Sequence, residues 1–132
     1  LGRAPADLAV VAFGVNDTLQ LTRTRAWQTG VLDLLDAVRR QLGPVPVVVS
    51  GVPPLDRFPA LPRPLSDVAG QRSRLLDRAL GPVLSRRPRV VRAHAPVPED
   101  PALFCADGFH PGPVGYARWG EVLADGAAGL LG

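Results

Sequence analysis

Several residue types are missing or rare in this sequence. It contains no Met and no Lys, and Cys105 is its only cysteine, so a disulfide within the chain is excluded. Cys and His do not cluster at the spacing of zinc ligands. No apolar run approaches the roughly 20 residues that a membrane-spanning helix needs. The sequence therefore predicts neither an integral membrane span nor a metal site.

The positive charge of the chain comes from Arg alone. The chain has fifteen Arg residues and twelve acidic residues, which gives a formal net charge of +3. The densest basic run, SRRPRVVR (85–92), contains no aromatic residue on which a base could stack. We therefore expect a solvated, Arg-rich surface and no nucleic-acid partner.

Strand-like and helix-like segments alternate along the chain. Apolar, β-branched runs predict strands at DLAVVAF (7–13), VPVVVSG (45–51) and RVVRAH (89–94). Helical spacing of apolar residues predicts helices over about 25–42 and 66–85, capped by Thr24 and Ser66, and a last one from Pro113. Because strands separated by helices pair in parallel, the pattern predicts one α/β domain with helices on both faces of its sheet.

Two loops carry residues that suit acyl chemistry. FGVND (13–17) follows the first strand, and ADGFHPG (106–112) follows the third, so both lie at the edge where α/β sheets bind ligands. In the second loop, Asp107 can accept from Nδ1 of His110 and leave Nε2 free to take a proton. In the first, the amide of Asn16 can donate to an oxyanion. Each motif alone also fits ordinary turn chemistry.

Paired at this distance, PADLAVVAFGVND and DGFHPGPVGY resemble the SGNH (GDSL-type) hydrolase family, in its bacterial esterase/lipase-like branch. The resemblance covers nearly the whole chain. It implies a flavodoxin-like, three-layer α/β fold with strand order 2-1-3-4-5. It also implies a Ser-His-Asp triad that includes His110 and Asp107, an oxyanion donor at Asn16, and no metal or organic cofactor.

The sequence departs from the family at its beginning. The Gly-Asp-Ser block that holds the nucleophile and the Gly of the second block are absent, and Leu1 precedes what would be the third strand. We expect residues 1–132 to be part of one SGNH domain, from the third strand to the C-terminal helix, with the Ser in a missing N-terminal segment. Ser50 and Cys105 are poor substitutes, because a small polar strand end and a buried thiol are their expected roles.

Two further expectations follow from this arrangement. Without its neighbour, the first strand becomes an open apolar edge, so the isolated chain should be poorly soluble or partly molten. The segment 52–64 holds five prolines and must be a long loop. We expect its apolar residues Val52, Leu55 and Phe58 to line a pocket for the acyl group of the substrate.

The function that the sequence favours is hydrolysis of a small-molecule carboxylic ester. Acyl or acetyl transfer, and deacylation of a carbohydrate, would use the same residues and remain open. A non-catalytic binding domain on the same fold is a second class, since fold does not fix function. Nucleic-acid binding by the Arg-rich surface is a third and would show as salt-dependent retention on DNA.

Overall fold

Helices and strands alternate as the apolar patterns predict. A computed structural model describes residues 5–132; Leu1, with which the predicted domain begins, lies outside the described residues. The elements are β1 (Ala9–Val11), α1 (Val15–Leu19), α2 (Thr24–Leu42), β2 (Val47–Ser50), α3 (Leu65–Leu84), β3 (Val90–Ala93) and α4 (Pro113–Leu131). Single 3₁₀ turns at Leu55–Arg57 and Pro101–Leu103 interrupt the two long loops.

The three strands of the described chain form one parallel sheet in the order β1-β2-β3. Val48 of β2 pairs with Val10 on one side and with Val91 on the other. The connections from β1 to β2 and from β2 to β3 move in the same direction across the sheet. Connections between parallel strands share one handedness, so the helices in these two connections lie on the same face of the sheet. Accordingly α2 and α3 cover one face, and α4 packs on the other. The predicted three-layer α/β fold is confirmed, and it is consistent with the flavodoxin-like arrangement of SGNH hydrolases.

Each face of the sheet has its own core. On the α2/α3 face, Val47 and Val49 pack with Trp27 and with Leu76, all of them buried. The indole Nε1 of Trp27 donates to the Leu76 carbonyl over 3.1 Å, which ties α2 to α3. On the opposite face, Val48 is fully buried beneath α4. Alternate residues of β2 thus point to opposite cores, which explains why β2 reads as a continuous apolar run.

The predicted helix caps are wrong, although the helices are in place. Arg23 and Pro64 occupy the N-cap positions of α2 and α3, and neither makes a capping side-chain hydrogen bond. Ser66 lies inside the first turn of α3 and is buried. The helix also continues past Pro82 to Leu84. Packing of the apolar stripe against the sheet outweighs these local signals.

The first strand is an open edge, as expected. Across residues 5–132, β1 pairs with β2 alone. Val10 remains 48% exposed, because α4 packs against β2 and β3 and leaves β1 uncovered on that face. None of the helices in the described part of the chain has the length and apolar character to cross a bilayer.

Candidate active site

The stretch FGVND follows β1 and leads into a short helix that the sequence did not predict. Gly14 has a φ of 109°, a value that side chains other than Gly rarely adopt, and α1 follows at once. The hydroxyl of Thr18 donates to the Gly14 carbonyl over 2.8 Å, which fixes this first turn. Asp17 accepts from the hydroxyl of Thr22 over 3.1 Å, a local hydrogen bond that holds the chain just after α1. Asn16 is left exposed at the rim of the sheet.

The loop that holds Asp107 and His110 is closed by backbone hydrogen bonds. The Cys105 N–H donates to the His110 carbonyl over 2.8 Å, and the Gly112 N–H donates to the Leu103 carbonyl over 2.7 Å. Gly108 turns the chain with a φ of 64°. Its carbonyl accepts from the Ala60 N–H over 2.9 Å, so the Pro-rich loop is bound directly to this turn.

Asp107 and His110 form a hydrogen-bonded pair. Oδ2 of Asp107 lies 2.5 Å from Nδ1 of His110, and Oδ1 accepts from the N–H groups of Phe109 (2.9 Å) and His110 (3.0 Å). The side-chain hydrogen bond with His110, followed by those from the backbone of His110 and Phe109, lowers the pKa of Asp107 to about 2. The carboxylate is therefore ionised at neutral pH and engages Nδ1, which leaves Nε2 available to a reacting group.

Asn16 and His110 line one cavity, although they are far apart in the sequence. This cavity has a volume of about 280 Å³, and Phe58 is also part of its wall. A second cavity of about 330 Å³ adjoins it; Asn16 lines both, and Ser50 lines only the second. The three residues predicted to be catalytic thus lie at one end of the sheet. Asn16 and His110 line the cavity there, and Asp107 is hydrogen-bonded to His110.

The three residues expected to line the acyl pocket have different positions. Phe58 lines the cavity beside His110. Val52 and Leu55 are 5% and 0% exposed and line neither of the two cavities. Leu55 turns inward because its N–H donates to the hydroxyl of the buried Ser73 over 3.2 Å. Both residues therefore support the loop from below rather than face the cavity.

The alternative nucleophiles are placed differently from each other. Ser50 is 1% exposed, and its hydroxyl accepts from Nε1 of Trp119 over 3.0 Å. Cys105 is exposed, so its expected burial is wrong. The bridge between Phe104 and Pro111 explains this, because adjacent residues of an extended segment point to opposite sides and Phe104 takes the inward position. His94, the residue after β3, is exposed to solvent.

Aromatic residues in the cavity wall were not predicted as site residues. They are Phe104, Phe109, Tyr116 and Trp119. Phe109 directly precedes His110 in the sequence, and this position within the motif could have identified it as a site residue. Tyr116 and Trp119 share one side of α4 at i and i+3, but that spacing reads equally as a core-facing stripe.

Comparison with known protein families gives the class of protein. Residues 1–118 match the model of the GDSL-like Lipase/Acylhydrolase family. This match covers most of the chain and agrees with the parallel α/β fold, so the protein is a hydrolase of the SGNH type. The chain belongs to the GDSL-like lipase/acylhydrolase family. A search of curated proteins gave no match.

Proposed function

We propose that the protein is a carboxylic-ester hydrolase in which His110 is the general base, Asp107 orients it, and Asn16 is an oxyanion donor. One observation carries the proposal: the Asp107-bound imidazole and the exposed Asn16 line the same cavity. A general base and an oxyanion donor are two of the groups that acyl transfer through a tetrahedral intermediate requires, beside the nucleophile. Membership of the hydrolase family supports a small-molecule substrate.

In the proposed mechanism, a serine hydroxyl attacks the acyl carbonyl as Nε2 of His110 removes its proton. The negative charge that develops on the carbonyl oxygen accepts a hydrogen bond from the amide of Asn16. His110 then gives the proton to the departing alcohol. A water molecule, activated by the same imidazole, releases the acid. Asp107 stays ionised throughout and stabilises the imidazolium that forms twice in the cycle.

The proposed nucleophile is a serine outside these 132 residues, in a segment equivalent to the Gly-Asp-Ser block of the family. The geometry of Ser50 supports this. Its hydroxyl is buried, accepts from Trp119 and donates to the Gly51 carbonyl over 3.3 Å. A buried hydroxyl that is already committed to two hydrogen-bond partners is a poor nucleophile.

The test is the hydrolysis of p-nitrophenyl acetate by the intact protein and its variants. His110→Ala should abolish turnover, and Asp107→Asn should lower kcat by about 10⁴-fold, because the amide no longer holds the productive tautomer. The matched control is His94→Ala, which removes the other, solvent-facing histidine of the chain and should leave kcat unchanged. Undiminished turnover in His110→Ala would show that this histidine is not the base.

Asn16→Ala should lower kcat by about 10²–10³-fold with little change in KM, because its hydrogen bond is strongest in the transition state. Gln20→Ala, at the exposed end of the same short helix, is the control. An equal loss in both variants would point to damage of α1 rather than to a missing oxyanion donor.

A further inference from the structure

The short helix α1 carries Asn16 but is too small to fix its own orientation. It has five residues, and its N-cap residue, Gly14, makes no side-chain hydrogen bond. Isolated helices shorter than about 12–15 residues are marginal in water. A misplacement of about 1 Å at a catalytic group can cost about 10²-fold in rate. The contacts between α1 and its neighbours therefore decide whether the amide of Asn16 is in a useful position.

After α1 the chain turns back through a strained residue. Leu21 has a φ of 57°, a value that residues other than Gly rarely adopt, and its side chain is 62% exposed. Burial of the side chain does not enforce this conformation, so other contacts must hold it. Thr22 provides two of them, because its N–H donates to the Asp17 carbonyl over 2.9 Å and its hydroxyl donates to Oδ1 of Asp17 over 3.1 Å. Residues 15–22, the α1 segment, thus form one hydrogen-bonded unit that includes Asn16.

Arg72 of α3 connects the α1 segment to the rest of the domain. Its Nη2 donates to the Thr22 carbonyl. Within residues 5–132, this is the only hydrogen bond between the α1 segment and another helix or strand. Nε of Arg72 is buried, and the guanidinium pairs with no carboxylate of the described chain. A hydrogen bond from a partly buried cation is stronger than one between neutral groups, so this contact can hold the segment in place.

We infer that Arg72 is a positioning residue: its hydrogen bond to the Thr22 carbonyl holds the α1 segment and thereby sets the position of the Asn16 amide. This inference rests on the proposed function for the role of Asn16 as an oxyanion donor. The connection between Arg72 and the α1 segment can be tested without any turnover.

The first test is amide hydrogen exchange in Arg72→Met, which keeps a long apolar side chain but cannot donate. Two N–H groups report on the α1 segment: that of Gln20 donates to the Asn16 carbonyl over 2.8 Å, and that of Thr22 donates as described above. Both should exchange at least about tenfold faster in the variant, because local opening becomes easier. The N–H of Trp27, in the first turn of α2, is the internal reference and should be unchanged.

Two results of this experiment would contradict the inference, whatever the activity of the protein. Unchanged exchange at Gln20 and Thr22 would show that Arg72 does not hold the α1 segment. An equal acceleration at Trp27 would show a general loss of stability instead of a local connection.

The second test is the kinetics of p-nitrophenyl acetate hydrolysis by the intact protein. Arg72→Met should lower kcat by about tenfold with little change in KM, because a displaced amide weakens an interaction that is strongest in the transition state. In the Asn16→Ala background the same substitution should lower kcat by less than about twofold, since no amide remains to be positioned. An equal loss in both backgrounds would show that Arg72 acts independently of Asn16 and would overturn the inference.

Two further variants separate the hydrogen bond from the charge. Arg72→Lys keeps the charge and one donor, should retain more of kcat than Arg72→Met, and is informative even if the methionine variant fails to fold. Equal losses in the two would show that the hydrogen bond is not what matters. Arg78→Met is the matched control, because it removes the same charge from an exposed position on α3 and should change neither kcat nor exchange. A loss in Arg78→Met equal to that in Arg72→Met would indicate a general effect of charge and overturn the inference.

The outcomes also separate the inference from the proposed function. If His110→Ala retains activity while Arg72→Met still accelerates exchange at Gln20 and Thr22, the proposed mechanism fails and the connection of Arg72 to α1 stands. If His110→Ala is inactive but Arg72→Met leaves kcat unchanged, the positioning role of Arg72 is wrong.

Discussion

Gly14 sets the position of Asn16, and Gly14→Ala should strongly destabilise the protein. A Cβ atom at Gly14 would lie 2.6 Å from Cγ2 of Val52 and 3.0 Å from Cη2 of Trp27. Real Cβ atoms do not approach carbon this closely. Val52 and Trp27 are 5% and 4% exposed, so neither can move into solvent to make room.

The expected loss of stability has two parts. A φ of 109° is unfavourable for Ala, and a non-Gly residue with positive φ costs roughly 1–2 kcal/mol. Inserting a methyl group into a packed region adds typically about 1–3 kcal/mol. Together these give about 2–5 kcal/mol, a large share of the roughly 5–15 kcal/mol by which domains are stable. The displaced Asn16 should also lower esterase activity in the fraction that stays folded.

Urea unfolding of four proteins tests this reasoning: the parent, Gly14→Ala, Val52→Ala and the double variant. Because Val52→Ala removes the atom that clashes, the two substitutions should couple favourably by about 1–3 kcal/mol. Gly30→Ala is the matched control, since its Cβ would meet nothing within 4 Å in α2, and it should stabilise by up to about 1 kcal/mol. A Gly14→Ala variant within about 0.5 kcal/mol of the parent would refute the steric argument.

Two further predictions concern the catalytic pair and the open edge. His110→Ala should raise the pKa of Asp107 from about 2 toward 3.8, because the hydrogen bond with His110 is the largest cause of the shift. A pH titration of the Asp107 carboxyl carbon by ¹³C NMR measures this pKa. An unchanged titration midpoint in the variant would contradict this account. Since the folded-state pKa is the lower one, the stability that Asp107 contributes is present above about pH 4 and is lost as the pH falls toward 2. Val10→Lys should reduce aggregation of the isolated chain, because a charge on an edge strand opposes strand addition; light scattering equal to that of the parent would count against edge-to-edge association.

The fold could be predicted because its signals are redundant. Val47, Val48 and Val49 are all buried, so β2 reads as a continuous apolar run whichever face each residue meets. The stripe of α2, with Val31 and Leu35 buried, repeats at helical spacing. The caps failed for the opposite reason: each depends on a single side chain, and Ser66 is instead buried in the first turn of α3.

The wall of the site could not be predicted from the sequence with the same success. Val52, Leu55 and Phe58 are equally apolar, and only the conformation of the loop decides which one faces the cavity. That conformation depends on hydrogen bonds between residues distant in sequence. The Leu55 N–H donates to the Ser73 hydroxyl, and the Ala60 N–H donates to the Gly108 carbonyl. The local sequence does not predict either hydrogen bond. It therefore indicates a loop that lines a pocket, but not which side chains of the loop face that pocket.

The geometry of the site therefore depends on contacts between loops as much as on the sheet. Leu55, Phe58 and Phe104 form a small buried cluster with Ala69 of α3, separate from the two cores that flank the strands. This cluster lies beneath the Pro-rich loop and the loop of Asp107 and His110 together, so a shift in one loop must move the other. The sheet brings Asn16 and His110 to the same rim, whereas this cluster sets the shape of the cavity between them. Substrate specificity can consequently change through the loop residues while the fold and the catalytic pair stay the same.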